Sequence, residues 1–240
     1  MDASWEDFGW ERLGHGTGRR RLPVWDATAL LVAGPDGALL CDTGASLREG
    51  VELRTQAEAL LGRRVTHIAL SHPHFDHVLG TAAFAGARVY GSEGTAELLR
   101  RGAGALYADA VAQGLPEADA AESADVLVAP RHEVRGELTV DLGGGREVVL
   151  VNVGAAHSGH DLAVVVPGSP ALVFCGDLVE ESGEPQAGPD ASPARWPGAL
   201  DRLLELGGDD ALYVPGHGAV VDAAFVRAQR AALAVRFGVS

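Results

Sequence analysis

The sequence predicts an α/β protein in which two β-rich halves lie between outer helices, an αβ/βα sandwich of four layers. Three observations predict it. Residues 28–44 carry two apolar runs around Gly34-Pro35-Asp36-Gly37 and end in Cys41-Asp42, and residues 161–177 repeat that pattern and end in Cys175-Gly176-Asp177. Each half then has a helix-spaced stretch ahead of a further apolar run that ends in histidine, His72 in the first and His217 in the second. In both halves the polar residues fall at equivalent strand ends, so every polar cluster shares one edge. Two apolar hairpins can also look alike by chance, but the matching strand ends favour a diverged duplication. Residues 1–240 therefore read as a single domain of two similar halves.

Taken in order, 28–44 is a hairpin about its Gly-Pro-Asp-Gly turn. Helical spacing over Glu49–Leu61 leads to a strand at Val65–Leu70. Val78–Phe84 resembles a helix start, Ala87–Tyr90 a short strand, and Thr95–Arg101 and Ala105–Gln113 two helices. Residues 114–136, rich in Ala, Asp, Glu and Pro, are the least regular and are expected as a lid or edge loop. Glu137–Leu142 and Glu147–Val153 form a strand pair around Gly143-Gly144-Gly145. The second apolar hairpin follows, then a helix at Pro197–Leu206, a strand at Ala211–His217, and a closing helix at Asp222–Val235.

Composition narrows the function. A formal net charge of −14 opposes a general nucleic-acid binder, because phosphate contacts need clustered cations. All 19 basic residues are Arg, which removes any lysine Schiff base, substrate clamp or P-loop. The N-terminus is acidic and has no apolar leader core, and no run approaches the length of a membrane span. Cys41 and Cys175 are too few for a disulfide framework and read as small buried hydrophobes. A soluble cytoplasmic protein is expected.

Ser71-His72-Pro73-His74-Phe75-Asp76-His77 carries the chemistry. Three imidazoles and a carboxylate within six positions, directly after an apolar strand, suit zinc, iron or manganese. Three more islands of ligand-type residues stand at strand ends: His157, Asp177 and His217. Asp42, in Leu40-Cys41-Asp42-Thr43-Gly44, is a fifth. Glycines flank them and permit the turns that aim side chains inward. The alternative for Asp42, an aspartic-protease Asp-Thr-Gly, lacks the second such triplet that it needs.

The ordered set Asp42, His72-x-His74-x-Asp76-His77, His157, Asp177 and His217 resembles the five motifs of the metallo-β-lactamase superfamily along essentially the whole chain. The resemblance implies that family's fold, with a metal site at one edge of the two sheets. It implies a first metal held by His72, His74 and His157, a second held by Asp76, His77 and His217, and Asp177 bridging them. Asp42 would orient ligands by hydrogen bonds. The implied function is a hydrolase in which a metal-bridged hydroxide attacks a small ester, thioester, lactone or amide. Asp76 and Asp42 would be the carboxylates that assist, and the cofactor two Zn2+ per chain, with Fe2+ or Mn2+ as alternatives. His160 either faces the cleft or caps the following strand. His67 reads as a packed strand residue, and His15 and His132 carry no argument. Trp5, Trp10, Trp25 and Trp196 either line a substrate groove or are buried aromatic surface.

Departures from known members prune the substrate. Di-zinc β-lactamases place a cysteine where Asp177 stands and use a lysine nearby; both are missing. Glyoxalase II-like thioesterases carry a C-terminal helical domain, and only 23 residues follow His217. RNase Z-like nucleases need a basic surface. Acyl-homoserine-lactone lactonases have a tyrosine three residues after the bridging aspartate, where this chain has Glu180. Flavodiiron proteins need a flavodoxin domain. A small-molecule hydrolase is expected, without nucleic-acid or membrane partners. A mononuclear iron oxygenase resembling persulfide dioxygenases and a non-enzymatic metal scaffold are the alternatives.

Overall fold

Alternation of apolar side chains decides the layers. In strand β3 (Thr28–Ala33), Ala29 and Leu31 face one core while Leu30 and Val32 face another. The structure, a computed structural model, describes residues 4–14 and 16–239; residues 1–3, His15 and Ser240 lie outside the described residues. Ahead of β3 come β1 (Glu11–Gly14) and β2 (Thr17–Arg21), and after it β4 (Ala38–Cys41), α1 (Leu47–Leu61), β5 (His67–Ala69), α2 (Phe75–Val78) and β6 (Arg88–Ser92). Next are α3 (Thr95–Ala112), α4 (Glu117–Asp125), β7 (His132–Val134), β8 (Glu137–Asp141) and β9 (Glu147–Gly154). The chain closes with β10 (Asp161–Val166), β11 (Leu172–Glu180), α5 (Trp196–Gly207), β12 (Leu212–His217) and α6 (Ala223–Phe237).

The first seven strands form one sheet in the order β1-β2-β3-β4-β5-β6-β7, and the last five form another, β12-β11-β10-β9-β8. Leu30, Leu39, Cys41 and Ala69 of the first sheet meet Leu162, Val164, Phe174 and Val214 of the second in a central core. Leu31, Leu40 and Ile68 point the other way, beneath α1 and α3. Ala163, Val173, Cys175 and Tyr213 do the same beneath α5 and α6. The result is the four-layer αβ/βα sandwich. Each half pairs alike: β3 with β4 antiparallel then β4 with β5 parallel, and β10 with β11 antiparallel then β11 with β12 parallel. Cys41 and Cys175 are free and buried. Among the described residues no helix is long and apolar enough to cross a membrane.

Three expectations change. The helix anticipated at Val78–Phe84 starts earlier, at Phe75 inside the histidine cluster, and a single 3-10 turn at Thr81–Ala83 replaces its later part. Gly80 packs so closely on the Thr43 carbonyl and on Gly50 that no side chain fits there. The two helices over 95–113 are one, α3. Gly102 and Gly104 weaken its middle by about 1 kcal/mol each, which burial of Leu99, Leu106 and Ala110 outweighs. Residues 114–136 are more regular than anticipated and lie at the sheet edge: Pro116 starts α4, Ser123 Oγ accepts the Leu47 N–H, and β7 adds the edge strand of the first sheet.

Candidate metal centre

Strand ends and the loops beside them supply the polar islands, except Asp177, which the sequence placed at a strand end and which lies inside a longer strand. Asp42 follows β4, residues 71–77 follow β5, His157 lies between β9 and β10, Asp177 lies within β11, and His217 ends β12. Two glycines make room. Gly176 has φ +53° and backs onto the Ser71 side chain, and a Cβ on Gly216 would collide with Asp177 Oδ1. The side chains of these islands converge. Donor atoms of His72, His74, His157 and Asp177 lie within 4.8 Å of one another, and so do those of Asp76, His77 and His217.

Asp177 belongs to the first group and also faces His77 and His217 of the second. Its Oδ2 stands 3.6 Å from His72 Nε2, 3.5 Å from His157 Nε2 and 3.3 Å from His217 Nε2, while Oδ1 stands 3.3 Å from His77 Nε2. Asp76 Oδ2 lies 3.4 Å from both His77 Nε2 and His217 Nε2. Two ligands each about 2.1 Å from a tetrahedral ion sit roughly 3.4 Å apart, so these separations suit shared coordination.

The outer nitrogen of each imidazole is held from behind. His157 Nδ1 donates to the Gln186 carbonyl at 3.1 Å and His217 Nδ1 to the Trp25 carbonyl at 2.7 Å. His77 Nδ1 donates to Asp42 Oδ2 at 2.8 Å. Ser71 Oγ donates to Asp42 at 2.6 Å and so accepts from His72 Nδ1 at 2.9 Å. His74 Nε2 donates to Asp190 Oδ2 at 3.1 Å. These contacts fix the tautomers and aim lone pairs at the centre. His74 Nδ1 and His157 Nε2 then face each other at 3.1 Å, an arrangement that requires a proton or a metal ion between them.

The electrostatics divide the site. Burial holds His72 well below its usual range and His157 down to about 4. Burial acts the same way on His77 and His217, but Asp76 and Asp177 outweigh it, holding His77 well up and pushing His217 to about 11. Burial opposes ionisation of Asp76 and Asp177; their imidazole neighbours overcome it and keep both well below the carboxylate range. His72 Nε2, His77 Nε2 and Asp177 Oδ1 are buried with no hydrogen-bond partner. Three such orphans at one point are costly in a folded protein, and a divalent cation would satisfy all three. The donor set fits a divalent metal.

All seven anticipated ligands and Asp42 come together here. His160 does not join them: its Nδ1 bonds the Glu93 carbonyl at 2.8 Å, tying the loop after β9 to the start of α3. His67 stacks on Tyr90, and His132 also lies against that ring, 5.0 Å between centroids. Trp10 and Trp196 are buried, the latter edge-on to His157 at 5.3 Å, and Trp25 rests against Phe75. Sequence reasoning missed Asp190, Gln186 and the Trp25 carbonyl. Backbone contacts leave no sequence signal, and Asp190 sits in a loop whose composition resembles any exposed loop.

Comparison with known proteins agrees with this geometry. The family model described as the Metallo-beta-lactamase superfamily matches residues 22–217. Metallo-beta-lactamase domain-containing protein 1 of Xenopus laevis is 25% identical over 197 residues, covering 80% of this chain and 71% of that protein. A metallo-beta-lactamase from Pontibacter korlensis superposes with a TM-score of 0.74 at 22% identity, over 93% of this chain and 97% of that one. The metallo-beta-lactamase FIM-1 from Pseudomonas aeruginosa, in its mono-zinc form, gives 0.71 at 19% identity over 96% of each. A match across most of the chain, joined to a His/Asp donor cluster at the sheet edge, places this chain in the metallo-β-lactamase superfamily, whose members are generally metal-dependent hydrolases.

Proposed function

We propose that this chain is a binuclear zinc hydrolase that cleaves a small ester, thioester, lactone or amide in the cytoplasm. The observation that carries the reading is the Asp177 carboxylate, whose Oδ2 faces His72, His157 and His217 and whose buried, unpartnered Oδ1 faces His77. One carboxylate turned on two imidazole groups is the arrangement that two adjacent cations need to offset their repulsion.

In this reading His72, His74 and His157 hold one ion, Asp76, His77 and His217 the other, and Asp177 both. Bound zinc supplies a Lewis acid for the scissile carbonyl and a water of lowered pKa. Asp76 presents Oδ2 to His77 and His217, which leaves Oδ1 to accept a hydrogen bond from the attacking water and orient it. Asp42 holds His77 directly and His72 through Ser71, so one buried carboxylate positions an imidazole of each half-site. Trp196 packs edge-on to His157 and the Trp25 carbonyl accepts from His217, which helps fix both rings. The machinery belongs to a single domain of two similar halves, and its partner is a small molecule rather than a nucleic acid.

Element-resolved mass spectrometry of the purified, unsupplemented protein tests the proposal. About two zinc per chain, with turnover of members of an ester, thioester and lactone panel, supports it. About one iron per chain, with oxygen uptake on sulfur substrates, replaces it with an oxygenase. Metal without turnover leaves a scaffold.

A further inference from the structure

We infer that Glu180 sets the charge preference of the site, favouring a substrate ammonium group and repelling a substrate carboxylate. The inference rests on the metal-site reading above and extends it to substrate class. One oxygen of Glu180 lies within 4.8 Å of donor atoms of both Asp177 and His217.

Strand irregularity puts it there. Alternation would turn residues three apart on a strand to opposite faces. Between Gly176 and Glu180, however, β11 spends four steps against two on β12, from Pro215 to His217. This bulge brings Asp177 and Glu180 to the same partner, His217. The bulge is fixed from outside: the buried Gln229 of α6 accepts the Glu180 N–H at 3.0 Å and donates to the Leu178 carbonyl at 2.9 Å.

The side chain is equally defined. Glu180 Oε1 accepts from Ser182 N and Oγ, at 3.2 and 2.6 Å, while Oε2 accepts no hydrogen bond among the described residues. Neighbouring carboxylates are engaged elsewhere, Glu181 by the Ala219 N–H and Asp190 by His74. Residues 180–190 hold no cation to neutralise Glu180, and Arg236, which touches that loop, bonds the Pro185 carbonyl. A half-buried carboxylate beside the donor cluster, with one oxygen that no hydrogen bond occupies, therefore meets whatever group a bound substrate carries beside its reacting bond. Like charges there repel and an ammonium is attracted.

Thiol binding to the cobalt-substituted protein reads this without turnover. Cysteamine, 2-mercaptoethanol and 3-mercaptopropionate carry a cation, no charge and an anion on similar frames, and thiolate-to-cobalt absorption reports each Kd. The wild type should bind cysteamine most tightly and 3-mercaptopropionate least. Glu180→Gln should narrow that ratio by roughly five- to tenfold, the effect of one partly screened charge pair, with the cobalt spectrum unchanged. Glu184→Gln, an exposed carboxylate in the same loop, should leave it unchanged. Cobalt uptake with no charge preference, or a preference that survives Glu180→Gln, overturns the inference. Absence of cobalt bands overturns the metal-site reading and this one with it, whereas a correct charge ratio without ester turnover removes only the hydrolase.

Discussion

His74 and Asp190, 116 positions apart in sequence, meet at 3.1 Å between Nε2 and Oδ2. The same loop gives the Gln186 carbonyl to His157. Two of the three imidazoles of one half-site are thus held by an exposed loop, whereas His77 leans on the buried Asp42. Asp190→Ala should weaken metal binding at that half-site by about 10- to 100-fold. It should leave the other half-site and the overall fold intact. Chelator competition read separately for the first and second equivalent of zinc checks this; equal losses at both would contradict it.

Removing donors one at a time gives a stoichiometric signature. Asp177→Ala takes the shared carboxylate from both groups and should lower metal content below one ion per chain. His217→Ala should leave close to one. His160→Ala should leave metal content untouched, because that ring bonds the Glu93 carbonyl. Metal analysis of the three purified variants decides: full content in Asp177→Ala removes the shared role, and loss in His160→Ala makes it a ligand.

Much of this was legible in the sequence, for identifiable reasons. The hairpins at β3–β4 and β10–β11 are written in uninterrupted apolar runs with Gly/Pro turns. The ligand-type residues are legible because His and Asp beside Gly at strand ends have few structural uses. The continuous α3 was hidden because glycine propensity is local, while burial of Leu99 and Leu106 depends on the whole fold. Asp190 was hidden because a contact across 116 positions has no local pattern. Glu180 was visible only as a missing tyrosine; the bulge that turns it towards His217 is set by β12 and α6.

Asp42 combines backbone strain with buried charge. It adopts φ +59° and accepts Ser71 N at 2.7 Å, Ser71 Oγ at 2.6 Å and His77 Nδ1 at 2.8 Å. Asn tolerates that left-handed conformation and keeps one acceptor, whereas Ala does neither. Asp42→Ala should therefore destabilise the metal-free protein by about 3–5 kcal/mol, the cost of stranding a buried partner. Asp42→Asn should cost clearly less. Urea unfolding of both variants in the presence of chelator checks the order, and equal losses would show that neither acceptor count nor backbone conformation matters there.

Proton release on metal uptake should differ between the half-sites. Without metal, His217 lies at about 11 and His77 is also raised, so both carry protons at pH 7. His157 lies at about 4 and His72 is lowered too, so both are already neutral. A metal takes only neutral imidazole, so filling the group of His77 and His217 must expel protons, while His72 and His157 expel none. Affinity at the former should therefore rise with pH across the neutral range; the other group, in which Asp190 outweighs burial and raises His74 alone, should rise less steeply. The same shifts act on stability. A histidine raised in the folded state stabilises it fully below its unfolded value near 6.5, and that contribution is lost as pH rises through about 11 for His217. The metal-free protein should accordingly weaken in alkali. Calorimetric zinc titrations at pH 7 in buffers of different ionisation enthalpy count the protons: close to two for one ion and fewer for the other is expected, and equal release by both would sink the asymmetry.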